Sequence, residues 1–154
     1  MNPTRIPLLQ QMPIFGGLSA STLELLLDAT SEVQVPAGEY FFHEGDAGDA
    51  LYVLERGQVQ VQRATPRGLA VLRRLGPGDC LGEMAVIDLA PRSASVRALQ
   101  DCAAFTLPAG QLHRLYQHDL EQFALLQMNL AREMSRRLRA AVDQWARTGT
   151  LDIG

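Results

Sequence analysis

Apolar positions in the middle of this chain come in short runs broken by glycine. Towards its end they recur at steps of three and four. Between Val33 and Leu107 the runs are VQV, YFF, ALYVL, QVQVQ, AVLRRL, SASVRA and AAFTL, rich in β-branched and aromatic residues. Gly38, Gly45, Gly48, Gly57, Gly68, Gly76 and Gly78 fall between them. Strands so short and so regularly spaced predict an antiparallel sandwich or barrel, not βαβ units. Ahead of this region, Ile6 to Met12 predicts a short helix before Pro13. Ser19 or Ser21 caps a second helix, with Glu24 placed for a capping box and Leu23, Leu26 and Leu27 on its apolar face. After Pro108, Ala109 to Gln117 predicts a short helix and Leu120 to about Arg147 a long one. The long helix carries the stripe Phe123, Leu126, Leu130, Met134, Leu138, Ala141 and Trp145.

The fold class is therefore mainly β with flanking helices. Helices occupy about 6–30, an antiparallel roll 31–108, and helices again 109–147, with the long one at 120–147. A helix of that length has more apolar face than a small roll covers, so the stripe predicts a homodimer. The alternative is that the whole stripe packs on its own domain.

Composition narrows the class. At 154 residues the chain fits one compact domain, 1–154, with mass enough for a core. A net charge of −3 gives no general attraction to nucleic acid. Cys80 and Cys102 lack metal-ligand spacing and predict partly buried, reduced thiols in a cytoplasmic protein. The N-terminus has no apolar core of a leader, and no run of eighteen apolar residues predicts a membrane span.

The candidate chemistry lies in Leu81 to Ala98, LGEMAVIDLAPRSASVRA. Gly82 permits close backbone approach or a tight turn. Met84 to Leu89 is long enough for one or two helical turns, whose unpaired leading amides favour an anion. Pro91 ends any such turn and favours an extended Ala90. Arg92 supplies a cationic fork suited to phosphate oxygens. Ser93 and Ser95 alternate with Ala94, Val96 and Ala98 as in a half-buried strand. Glu83 would repel a bare phosphate but suits a ligand that also offers hydroxyl donors, as a ribose does. Taken singly, Arg92 and Glu83 make a surface ion pair contributing ~0–1 kcal/mol. Together with the rest they point to a nucleotide.

In order and spacing these residues resemble the phosphate-binding cassette of the cyclic nucleotide-binding domain family, found in bacterial catabolite-activator-type regulators and kinase regulatory subunits. That cassette runs Phe-Gly-Glu, a short helix, then Pro-Arg-Ser/Thr-Ala-Ser/Thr-x-x-Ala. Here it reads Gly82-Glu83 and Pro91-Arg92-Ser93-Ala94-Ser95-Val96-Arg97-Ala98, with Leu81 in place of Phe. The run Glu44-Gly45-Asp46-Ala47-Gly48-Asp49, then Leu51-Tyr52-Val53-Leu54 and Gly57, resembles the family's β-roll. Pro13 to Leu18 resembles its entry segment, so the resemblance spans about Leu8 to Arg139. It implies a jelly-roll sensor for a cyclic nucleotide, cAMP ahead of cGMP, that signals through the long helix. By the same resemblance Gly82, Glu83, Met84, Ala85, Arg92, Ser93 and Ala94 contact the ligand, and Arg137, within Met134 to Leu138, reaches Glu83. Read without it, Arg136 and Arg137 form a solvated basic face.

Two departures qualify the resemblance. Where the bacterial regulators place a Thr-Ser pair that bonds the base, this chain has Ala141-Val142, which leaves the base open. Where they continue into a helix-turn-helix, only Thr148 to Gly154 follow, so direct DNA reading by this chain is not expected. The polypeptide is either a free-standing sensor or a piece of a longer protein. The rival readings are a degenerate member that serves as a nucleotide-independent interaction module, and a cupin-type metal enzyme. The enzyme reading is disfavoured, because the roll offers His43 alone as a histidine ligand and no nucleophile-elbow or Walker pattern occurs.

Overall fold

The computed structural model describes residues 5–27, 31–83 and 90–149. Its strands are β1 (Glu32–Val35), β2 (Tyr40–Phe42), β3 (Ala50–Arg56), β4 (Val59–Thr65), β5 (Gly68–Leu75), β6 (Cys80–Leu81), β7 (Ser95–Ala98) and β8 (Cys102–Pro108). They form two antiparallel four-stranded sheets, ordered β1-β8-β3-β6 and β2-β7-β4-β5. First pairing with eighth and second with seventh makes this a jelly roll. Helices α1 (Ile6–Gln10) and α2 (Ala20–Leu26), joined through a 3₁₀ turn at Pro13–Phe15, precede it, and α3 (Ala109–His118) and α4 (Leu120–Thr148) follow.

The sequence texture has a packing cause. β3 and β8 are buried on both faces: Leu51, Val53, Phe105 and Leu107 face the helices, while Leu54, Cys102 and Ala104 face the second sheet. Hence ALYVL and AAFTL read as unbroken apolar runs. β5 lies at a sheet edge with one neighbour, β4, and Leu69 and Val71 on it are exposed.

Two expectations are corrected in detail, and one strand is added. Ser19, not Ser21, is the cap of α2: its Oγ accepts from the Thr22 amide at 3.1 Å, which puts Thr22 and not Glu24 at the reciprocal position. The SASVRA strand starts at Ser95; just ahead of the run, the Arg92 amide and carbonyl bond to Asp46 and Gly45 in the β2–β3 loop, each at 2.8 Å. The two-residue strand β6 is too short to leave a periodic signal, and the sequence reading passed over it.

The long-helix stripe divides. Phe123, Leu126, Leu130 and Met134 pack against the helical core layer. Beyond them the helix outruns its domain, leaving Leu138 62% and Trp145 46% exposed, with Val142 also exposed. The reading in which the whole stripe packs on its own domain is therefore excluded. Two polar side chains fasten the front half of α4 to the N-terminal segment. Asn129 Nδ2 donates to the carbonyls of Ile14 and Gly16 at 3.0 and 2.9 Å. Gln122 Oε1 accepts from the Ser19 amide and the Thr22 hydroxyl, both at 2.8 Å.

Asn129 is buried, so replacing it with Ala strips the donor from one buried and one part-buried carbonyl. Asn129→Ala should lower folding stability by ~2–4 kcal/mol, from a penalty of ~1–3 kcal/mol per unsatisfied group. Urea denaturation checks this, with the midpoint falling and the slope unchanged.

Candidate functional site

Loops and strand ends from separated parts of the chain meet at one pocket in the roll. Gly82, Glu83, Arg92, Ser93, Ala94 and Arg137 all line it. Met84 and Ala85 lie outside the described residues, as does the short helix expected over 84–89.

Arg92 is the centre of this site. It is 5% exposed, yet its partners among the described residues are backbone carbonyls rather than a carboxylate. Nη1 donates to the Gly82 carbonyl at 2.9 Å and Nη2 to the Ala50 carbonyl at 2.8 Å. The guanidinium lies 4.1 Å over the Phe42 ring, a cation–π contact that holds its plane. Its Nε is buried without a hydrogen-bond partner among the described residues. A buried cation of this kind costs several kcal/mol unless an anion joins it. The side chain passes so close to Gly82 that a Cβ there would sit 2.3 Å from Nη1. With φ at +75°, position 82 suits glycine on conformational grounds as well.

Glu83 is buried at 7% exposure, with one oxygen bound and the other bare. Oε1 accepts from Arg137 Nη1 at 2.9 Å, whereas Oε2 has no partner among the described residues. Glu83 and Arg92 therefore do not form the surface pair expected of them singly. Arg137 also donates through Nη2 to the Cys80 carbonyl at 2.7 Å, so α4 is tied to β6 across more than fifty residues of sequence. Of the two adjacent arginines, Arg137 turns inward and Arg136 stays outside, paired with Glu133. The basic-face reading thus holds for Arg136 alone. Burial lowers the Arg137 guanidinium, but the negative charge of Cys80 when ionised, and of Glu83, Asp79 and Glu133, outweighs it and leaves the group above its usual range.

Several lining residues escaped the sequence reading. Phe42 reads as strand, and its nearness to Arg92 depends on sheet register; Cys80, behind the pocket wall, meets Arg137 for the same reason. Leu72 and Arg73 belong to a run read only as strand. His43, the lone histidine in the roll, stacks on Tyr40 at 4.4 Å. Among the described residues no three His, Cys, Asp or Glu side chains gather into a metal site, and no helix is long and apolar enough to cross a membrane. Ala141 and Val142 are not among the residues that line the pocket.

Comparison with known proteins places this geometry. The family described as the cyclic nucleotide-binding domain matches residues 32–119. The Cyclic AMP receptor protein of Thermus thermophilus is 34% identical over 134 residues, covering 84% of this chain and 58% of that relative. The chain thus spans somewhat over half the length of this relative. The crystal structure of Thermus thermophilus Catabolite Activator Protein superposes with a TM-score of 0.72 at 32% identity, covering 87% of this chain and 62% of that one. The regulatory domain of Toxoplasma gondii PKA, solved with cAMP, gives a TM-score of 0.64 at 25% identity, covering 73% and 43%.

Cys80 carries a pH consequence. Burial and then the charge of Glu83 push its thiol from an ordinary value near 9 up to about 12, against the opposing pull of Arg137. The unfolded chain therefore loses this proton first. Stability should be level below about pH 9 and fall between about 9 and 12, by up to ~1.4 kcal/mol per pH unit. Urea midpoints across this range test it, and Cys80→Ala should flatten the slope.

Proposed function

The chain belongs to the cyclic nucleotide-binding domain family, and we propose that its pocket binds a cyclic purine nucleotide and reports it through α4. The observation that carries this reading is the buried Arg92, a cation with carbonyl partners and a bare Nε. A cyclic phosphate supplies the missing negative charge and accepts charge-assisted bonds from the edge of the guanidinium that faces the pocket. Gly82, Ser93 and Ala94 line the same end, with Met84 and Ala85 assigned to it by the cassette pattern. The bare Glu83 Oε2 is an acceptor for a ribose hydroxyl. The proposed role is regulatory rather than catalytic.

Reporting follows from where Arg137 sits. It belongs to α4, yet its charge is placed on Glu83 beside the proposed ligand. A nucleotide that contacts Glu83 changes the partner of Arg137 and so favours one position of α4 over another. Only such differential contact shifts a conformational equilibrium. Leu138, Val142 and Trp145 continue from Arg137 as an uncovered apolar face. The proposed cover is the same face of a second copy, which makes α4 both the reporter and the dimer element. The names of the relatives favour cAMP.

Titration calorimetry against cAMP, cGMP and AMP tests the binding reading. A cyclic nucleotide should bind more tightly than AMP. Arg92→Ala should weaken it at least tenfold, since each charge-assisted bond lost is worth ~1.5–3 kcal/mol. No heat with any nucleotide, from a folded protein, would overturn the reading in favour of a nucleotide-independent interaction module. For the dimer, sedimentation should give twice the chain mass, halved by Leu138→Glu with Trp145→Glu; a monomeric wild type would refute it.

A further inference from the structure

The buried face of α4 carries a polar ridge. Gln122, Asn129, Glu133 and Arg137 recur at steps of seven and four, so they lie along one side of the helix. Three of them bond to other parts of the fold. Gln122 meets Ser19 and Thr22, Asn129 meets the carbonyls of Ile14 and Gly16, and Arg137 meets Glu83 and the Cys80 carbonyl. Glu133 is the exception.

Glu133 is a buried carboxylate, 8% exposed, and its hydrogen-bond partner among the described residues is Arg136 on its own helix. The match is uneven, because the Arg136 side chain is 65% exposed while that of Glu133 is 11% exposed. An ion pair with one end in water is weak. Burying a carboxylate is unfavourable unless a cation meets it there. Arg137 is placed to do so. It follows Glu133 by four residues, the order and spacing at which a glutamate and a later cation meet on a helix surface. The charge of Glu133 is also among those that raise the Arg137 guanidinium.

Arg137 thus stands between two carboxylates, Glu83 across the pocket wall and Glu133 one turn back on its own helix. The choice has a mechanical consequence. A bond to Glu83 ties α4 to the pocket, whereas a bond to Glu133 stays within α4. A nucleotide whose ribose hydroxyls occupy Glu83 weakens the first of these. A buried guanidinium left without a partner is unfavourable, so it turns to the second.

We propose that Glu133 is a positioning residue, the second seat that receives Arg137 when a nucleotide takes Glu83, and that this exchange unties α4 from the pocket. The inference rests on the cyclic-nucleotide reading above and names the regulation of that same site. Arg136 is then the competitor that holds Glu133 while the pocket is empty.

The test compares Glu133→Gln with Arg136→Gln by calorimetric titration with cyclic AMP and cyclic GMP. Both substitutions break the pair between these two residues, so a merely structural pair predicts effects of one sign. The exchange predicts opposite signs. Glu133→Gln removes the second seat and should weaken the nucleotide that wild type binds by about threefold or more. Arg136→Gln vacates that seat and should tighten it by about threefold. Trp145, the single tryptophan of the chain, lies on the rear of α4 and reads its movement. Its emission should change when saturating nucleotide is added to wild type and to Arg136→Gln, and by less than half as much in Glu133→Gln. Affinity shifts of one sign or none, a full emission change in Glu133→Gln, or none in wild type would overturn the inference while leaving the binding reading intact. Arg136 is exposed, so its variant decides by sign alone should Glu133→Gln fail to fold. If neither nucleotide binds the folded wild type, the binding reading fails and this inference falls with it.

Discussion

The architecture of the site depends on one buried guanidinium. Arg92 is fixed from three directions: carbonyls of Gly82 and Ala50 take its two terminal nitrogens, and the Phe42 ring supports its face. None of these partners carries charge, so among the described residues the cation is positioned without being neutralised. That combination has a cost, because removing an ion from water without a counter-ion is unfavourable by several kcal/mol. A core evolved for stability alone would place a carboxylate there or an apolar side chain. The roll instead holds the charge in a preset orientation, and an incoming anion meets donors that need not rearrange.

The jelly roll makes this clamp possible through its strand order. β3 and β6 are neighbours in one sheet, so Ala50 at the start of β3 and Gly82 just after β6 come together although more than thirty residues separate them. The β2–β3 loop then holds the Arg92 backbone through Gly45 and Asp46. Phe42 and Val96 pair across β2 and β7 and close the remaining side. The contacts to Arg92 thus come from four separate segments: β2, the β2–β3 loop, the start of β3 and the end of β6. Displacing any one of them moves the guanidinium.

Helix α4 links this rigid site to the surface. Its front half is part of the core, fastened by Asn129 and Gln122 to the N-terminal segment. Its rear half projects uncovered. Arg137 lies near the transition and is the point where the helix touches the pocket, through Glu83 and the Cys80 carbonyl. A helix anchored at one end and tied to the pocket near its middle can convert a change of ion-pair partner into a change in where its free end lies. The apolar residues on that end give such movement something to act on.

The sequence alone determined the elements and the cassette. Glycine-punctuated β-branched runs, the three-and-four stripe and the Gly82-Glu83 to Ala98 pattern are local signals, set by backbone conformation and periodicity over a few residues. They sufficed for the jelly roll with flanking helices and for Gly82, Glu83, Arg92, Ser93, Ala94 and Arg137 among the residues that line the pocket. Tertiary structure decided what local signals do not encode. Arg136 and Arg137 are chemically identical neighbours, and the turn of α4 against β6 alone sends Arg137 to Glu83 and leaves Arg136 outside. The apolar stripe is uniform in sequence, and it divides only because the roll ends before the helix does. Leu72 and Arg73 read as alternating strand residues, whereas the register slip at Val61 and Gln62 leaves both lining the pocket, Arg73 at its exposed rim. In each case the deciding quantity is a distance between residues far apart along the chain, fixed by strand register and helix docking rather than by the residues themselves.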